Sequence, residues 1–288
     1  MNTMQPTDSE FLNMLMKSEL LKLMSFSKDR YLQSVILNII ERHPDQYEEI
    51  IELLTNSSAN QKNDRINTLL SNACLPGYPE HDTLDTFDQT CLSEPDLKLF
   101  QDIQKLDFLK TSKPNLNIYG PPGFGRERIA TGLGDLCCRA EYRVRFIEFH
   151  NLMQTIRIHE RDTKNHKLYD ELLNVNCLII DDFAGEKLYD AELINGLELL
   201  IHTRMSEHQK RFIQHKKDPK QKMQPRSTVI TSSYVPIKWV TRFTTEDMTV
   251  LKLANLFLGS GHTLTVDETN KPENADKLVQ NPPENVNL

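Results

Sequence analysis

Two stretches near the start of the chain place apolar residues at helical spacing. Phe11, Leu12, Met14, Leu15, Met16, Leu20, Leu21 and Leu23 crowd one broad stripe, and Tyr31, Val35, Ile36, Ile39 and Ile40 recur every three or four positions. Ile50, Ile51, Leu53 and Leu54 follow the charged run of residues 45–49. This pattern predicts a small all-α domain over residues 1–75. It is either a bundle with a core of its own or a docking module for a protein or DNA. Residues 57–64 (SSANQKND) are polar and read as a break, and residues 65–75 recover part of the helical pattern. The turn-rich joint Pro76-Gly77-Tyr78-Pro79 marks the boundary.

The period changes after residue 116. Residues 116–120 (LNIYG) predict a short strand running into a glycine loop, and residues 126–140 a helix. A second strand is expected at 143–149 (RVRFIEF). A third, at 175–183 (VNCLIIDDF), is apolar enough to be buried on both faces. Residues 227–233 (STVITSS) make a fourth and residues 262–266 (HTLTV) a candidate fifth. Strands separated by helical runs predict an α/β fold over residues 76–266, a parallel sheet flanked by helices. Residues 267–288 are polar and proline-bearing, and are expected to be a disordered tail.

Composition narrows the function classes. The 288 residues are 38% hydrophobic and 26% charged, as suits a globular protein, and the net charge of −7 excludes a global basic field. Nucleic-acid contact therefore requires a local patch. Residues 204–226 offer one: Arg204, Lys210, Arg211, Lys216, Lys217, Lys220, Lys222 and Arg226 stand against Glu207 and Asp218. The segment is either a solvated helix-and-loop excursion or a phosphate-contacting surface built on Lys210, Arg211, Lys216, Lys217, Lys220 and Lys222. The five cysteines lack C-x-x-C spacing, and their odd number argues against a disulfide framework, so a reducing cytoplasm is expected. The opening residues carry no basic start followed by an apolar core, so no signal peptide is expected. No apolar run approaches the roughly 18 residues of a membrane span.

Candidate chemistry begins at residues 120–127, Gly-Pro-Pro-Gly-Phe-Gly-Arg-Glu. A strand turning through glycines into a helix aims backbone N–H groups and the positive end of the helix dipole at one spot, which cradles an anion. Gly120, Gly123 and Gly125 permit the path, Pro121 and Pro122 stiffen its start, and Phe124 completes the loop. The phosphate-binding pattern G-x-x-x-x-G-K-[ST] ends in a lysine for the β- and γ-phosphates and a hydroxyl for Mg²⁺. Arg126 and Glu127 stand there instead. Arg126 keeps the charge in a larger, planar group. Glu127 sets a carboxylate beside the polyphosphate, at a cost of roughly 3 kcal/mol for 5 Å and an effective dielectric near 20. Without phosphate, an acid in the first turn is favourable. Some 55 residues on, Leu178-Ile179-Ile180-Asp181-Asp182 puts acids at the carboxyl edge of a buried strand. Asp181 is placed to hold Mg²⁺, and Asp182, expected to point the other way, to orient an attacking water.

These motifs together resemble the IstB-type branch of the AAA+ ATPases, ATP-binding helpers of one insertion-sequence transposase class that are related to bacterial replicative helicase loaders. The resemblance spans nearly all of residues 10–266. It rests on Leu75-Pro-Gly-Tyr, Leu84-Asp-Thr-Phe-Asp, Asn117-Ile-Tyr-Gly-Pro-Pro-Gly-Phe-Gly, Tyr142-Arg-Val-Arg-Phe, Leu178-Ile-Ile-Asp-Asp-Phe, and Ser227-Thr-Val-Ile-Thr-Ser-Ser with Pro236 and Trp239 behind it. It implies an AAA+ P-loop core that assembles on DNA as a homo- or hetero-oligomer, with ATP and Mg²⁺ between subunits. It also implies an N-terminal domain that contacts a transposase or a replicative helicase. Ser233 stands where the family's polar sensor is usually asparagine. Ala254-Asn255 replaces an aspartate–arginine pair that supplies a nucleotide-contacting arginine, with Arg242 a nearby substitute. The expectation is a helper of DNA transposition or replication with weak or absent ATP binding and hydrolysis. The alternatives are an active, nonstandard ATPase using Arg126 as loop cation, and a protein–protein scaffold without DNA binding.

Overall fold

The computed structural model describes residues 30–77, 84–161, 166–185, 190–243 and 248–267. The stripe expected at residues 11–23 and the tail at 268–288 lie outside the described residues. Backbone contacts divide the chain between Asn67 and Thr68.

The described part of the first unit is helical. Helix α1 (Arg30–Arg42) carries Val35, Ile36 and Ile40 on a partly buried stripe, and a short 3₁₀ turn at Pro44–Gln46 leads to α2 (Tyr47–Ala73). The break expected at residues 57–64 does not occur, because α2 runs through it. The segment is polar but contains neither glycine nor proline, so its backbone hydrogen bonds continue without an apolar face.

In the second unit a five-stranded, all-parallel sheet has the order β2-β3-β4-β1-β5. Its strands are β1 (Asn115–Tyr119), β2 (Val144–Glu148), β3 (Cys177–Asp181), β4 (Ser227–Ser232) and β5 (Gly261–Thr265). The α/β expectation holds, including the candidate fifth strand. Boundaries move by one or two residues: β3 keeps only Cys177–Asp181 of the expected 175–183, and β2 stops at Glu148, where Phe149 opens the next helix. Burial on both faces follows from the alternation of side chains along each strand. Cys177, Ile179 and Val229 point into one core with α3 (Glu94–Gln104) and α4 (Arg126–Arg139). Leu178, Ile180 and Ile230 point into the other. There they meet α5 (Phe149–Arg161), α6 (Lys167–Asn174), α7 (Ala191–Lys217), α8 (Trp239–Arg242) and α9 (Met248–Ser260).

The basic segment differs from its sequence reading. Residues 204–217 are no excursion but the second half of α7, and two of the cations counted over residues 204–226, Arg204 and Arg226, are buried. Arg204 is fully enclosed, with no carboxylate partner among the described residues. It donates to the carbonyls of Leu172, Leu173, Val175 and Ser227 and to Thr228 Oγ1. It thereby caps the end of α6 and ties α7 to β4. Burial pushes its guanidinium down to about 9. One turn on, His208 is also buried. Its Nδ1 accepts the Arg226 N–H at 3.2 Å, so Nε2 carries the proton and donates to the Thr111 carbonyl at 2.8 Å. Burial first, opposed by that carbonyl and helped by Arg204, Arg211 and Arg226, holds His208 below its usual 6.5.

Two outcomes follow. Arg204→Ala strips partners from several buried carbonyls and should lower stability by about 3 kcal/mol or more in urea titrations. Lys217→Ala, on the exposed end of the same helix, should change it by less than about 0.5 kcal/mol. His208 is neutral in the fold and takes up a proton on unfolding below about 6.5. Its contribution is therefore present above that pH and lost as pH falls, so the midpoint should drop between about pH 6.5 and 5. In His208→Gln that decline should flatten.

Candidate functional site

The site lies at the carboxyl edge of the sheet, where β1 ends and α4 begins. Gly120 closes the strand, its N–H donating to the Ser232 carbonyl at 3.2 Å. Gly123 and Gly125 then adopt positive φ of 84° and 91°, conformations that side chains disfavour. At Gly125 a β-carbon would also fall 2.6 Å from the Phe87 ring. Gly125 is the N-cap of α4 and has no side chain to offer the first N–H groups. That leaves the geometry of an anion cradle.

A cavity of about 870 Å³ opens in front of this turn. Pro122, Gly123, Phe124, Gly125, Arg126 and Glu127 line it, and so do Asp181 and Asp182. Gly120 and Pro121 carry the chain into the loop without lining the cavity. Arg126 is half-buried and donates from Nη1 to Ser233 Oγ at 2.8 Å. Burial lowers its guanidinium from the usual range, while Asp182, Asp181 and Glu127 act in the opposite direction. Two of the positions expected to depart from the family pattern, Arg126 and Ser233, are thus joined. Glu127 is exposed at the cavity's edge. Water therefore screens it, and its repulsion of a polyphosphate shrinks from about 3 toward about 1 kcal/mol as the effective dielectric approaches that of bulk.

The end of β3 is fixed through Thr231 on β4. The Thr231 hydroxyl donates to the Asp181 carboxylate and accepts the Asp182 N–H at 3.0 Å. Asp182 was expected to point away from Asp181, yet both line the cavity. The strand ends at Asp181, and Asp182 takes a positive φ of 50°, which breaks the alternation. The Asp182 carboxylate lies so close over Gly185 that a β-carbon there would sit 2.0 Å from Oδ2. Arg242 does not reach the cavity. Its guanidinium donates to the Ala184 and Gly185 carbonyls and covers the Tyr234 ring at 4.7 Å. Ala254 is buried in α9 and Asn255 is exposed.

Several lining residues escaped the sequence reading. Glu148 pairs in register with Asp181, so the end of β2 sets a second carboxylate beside the first. Asp88 and Arg128 add charge on the opposite wall, where Arg128 donates to Thr86 O and Oγ1 at 3.0 and 2.8 Å. The signal for Glu148 was an acid closing an apolar strand, the same signal that marked Asp181. Asp88, Glu127, Glu148, Asp181 and Asp182 together outnumber Arg126 and Arg128. The predicted nucleic-acid residues sit elsewhere. Lys210, Arg211, Lys216 and Lys217 are on α7, and Lys220 and Lys222 follow it. Lys210 pairs with Glu207 at 2.7 Å, Lys216 lies 4.6 Å from the Phe212 ring, and Lys222 donates to the Ala140 carbonyl at 2.9 Å.

The family model described as IstB-like ATP binding protein matches residues 38–269. A protein of insertion sequence IS5376 from Geobacillus stearothermophilus, named for ATP binding, is 28% identical over 156 residues, covering 54% of this chain and 61% of the relative. The corresponding protein of insertion sequence IS21 from Pseudomonas aeruginosa is 26% identical over 170 residues, covering 58% and 63%. The chain thus spans less than two thirds of the length of the curated relatives it matches. A crystal structure of a DNA replication initiation factor superposes with a TM-score of 0.50 at 14% identity, covering 71% of this chain and 55% of that one, a likeness of fold alone. The fold is that of the AAA+ P-loop proteins, and the chain belongs to the family of IstB-like ATP-binding proteins.

Proposed function

We propose that this protein is a helper of DNA transposition or replication that binds nucleotide weakly, hydrolyses it slowly or not at all, and works by binding. The observation that carries this reading is the Arg126–Glu127 pair. Arg126 is tied to Ser233 and faced by Asp181 and Asp182, and Glu127 adds a carboxylate to a cavity already rich in them. The residues present fit a magnesium-bound nucleotide in part. The glycine turn suits phosphates, and Asp181, oriented by Thr231, suits a magnesium ion held through water. Glu127 does not suit the place of a metal-binding hydroxyl. Bound Mg-ATP would supply a transferable γ-phosphoryl group. Arg126 would meet its charge, and Asp182 would be the candidate for orienting water.

The N-terminal helices are proposed to recruit a transposase or replicative helicase, and the α7 cations to contact DNA, with copies of this chain or a homologue assembling on it. No helix among the described residues is long and apolar enough to cross a membrane. The described cysteines are all free thiols, in keeping with a cytoplasmic site of action.

Calorimetry with Mg-ATP tests the nucleotide part. Arg126→Lys with Glu127→Thr should raise affinity by about tenfold, within the roughly fourfold to hundredfold range set by screening. Steady-state hydrolysis by the unaltered protein should stay near background. An unchanged or lower affinity in the double variant would favour the active, nonstandard ATPase. So would a clear hydrolysis rate that vanishes in Asp181→Ala. For the DNA part, neutralising Lys216, Lys217, Lys220 and Lys222 should weaken duplex binding and flatten its dependence on salt. Unchanged binding would leave the scaffold reading in its place.

A further inference from the structure

The opposite edge of the sheet holds a second concentration of charge. Val144 pairs with Cys177 and Cys177 with Ser227. The residues just before these, Arg143, Asn176 and Arg226, therefore form one row along the amino edge. With neighbouring strands about 4.8 Å apart, the two arginines start about 10 Å from each other. Asn176 stiffens the row. Its Oδ1 accepts the Arg143 N–H at 2.9 Å, its Nδ2 donates to the Pro225 carbonyl at 3.2 Å, and its own carbonyl accepts the Ser227 N–H at 2.8 Å. Helix α7 adds a third arginine. His208 holds the Arg226 backbone, and Arg211 lies three residues on, along the same helix face.

These guanidinium groups are poorly neutralised. Arg226 is only 3% exposed, and its Nη1 donates to the adjacent Pro225 carbonyl at 3.1 Å. Arg143 donates to the Asn174 carbonyl at 2.9 Å. Arg211 Nε is buried without a hydrogen-bond partner among the described residues. Glu207 is the carboxylate that acts on Arg226, and it is shared with Lys210 at 2.7 Å. Burial first, then the charges of Arg211 and Arg143, push Arg226 down to about 10, so the group remains a cation at neutral pH. Arg226 is buried, Arg211 half-buried and Arg143 exposed, and a buried charge crowded by like charges is costly unless an anion joins them. Planar guanidinium groups match the oxygens of a phosphate in pairs.

We propose that Arg143 and Arg211, backed by the buried charge of Arg226, form a phosphate site at the amino edge of the sheet, and that a backbone phosphate of DNA occupies it. This rests on the DNA-binding part of the proposed function and relocates its centre. The lysines at 216–222 become the flank of the contact, and the arginine row its anchor.

The test is salt-dependent binding of a fluorescent duplex to the full chain, to Arg143→Gln/Arg211→Gln and to Arg143→Lys/Arg211→Lys. Melting temperatures are taken with and without inorganic phosphate. The glutamine variant should lose tenfold or more in affinity near 100 mM salt. Its slope of log K against log salt should flatten by about one, the change that goes with losing one phosphate contact. The lysine variant should keep most of that slope. Phosphate should raise the melting temperature of the full chain and not that of the glutamine variant. If the glutamine variant melts early without phosphate, Arg143→Gln alone, altered at an exposed side chain, should show half the change in slope. Unchanged duplex binding in the glutamine variant overturns the phosphate site while leaving DNA binding intact. Absence of duplex binding by the full chain sinks the DNA reading instead. Phosphate stabilisation that depends on the arginines would then assign the site to a free phosphate compound, and no stabilisation would overturn it altogether.

Discussion

Parallel pairing of β2, β3 and β4 is the constraint on which the molecule's chemistry depends. One register places Glu148 beside Asp181 at the carboxyl edge and Arg143 in line with Asn176 and Arg226 at the amino edge. The sheet thereby separates charge, with carboxylates gathered around the glycine turn and guanidinium groups at the far end. Both faces must be covered for this arrangement to survive, and the alternation of Cys177 and Ile179 with Leu178 and Ile180 supplies a core to each.

Much of the fold was legible because apolar runs in parallel strands are hard to mistake. The five strands and the helix after the glycine loop appear where the pattern puts them. Short-range composition was a poorer guide. Residues 57–64 look like a break because they are polar, yet a helix stops for glycine, proline or a better competing bond, and none occurs there. The basic run from 204 to 226 misled in a different way. A count of charges cannot distinguish Arg204, which binds four carbonyls inside the fold, from Lys217 on the surface.

The candidate site was legible where chemistry is local in sequence. The glycine turn, Arg126, Glu127, Asp181 and Asp182 come together as their spacing implies. Residues that join through the sheet were not legible. Nothing within β2 says that Glu148 neighbours Asp181, and nothing around Ser233 says that its hydroxyl receives Arg126. The direction of Asp182 failed for a related reason. Strand alternation governs side chains only while the strand lasts, and the backbone leaves that geometry at Asp182 itself.

The Arg126–Ser233 contact changes what kind of device this turn is. A loop whose cation waits for incoming cargo has a posture that tracks supply, and proteins built that way keep time. Here the cation already donates to Ser233, and on the proposed reading the same contour would be shown to a docking companion whether fuel is plentiful or scarce. On the proposed reading the molecule serves as a fixed adaptor rather than a clock.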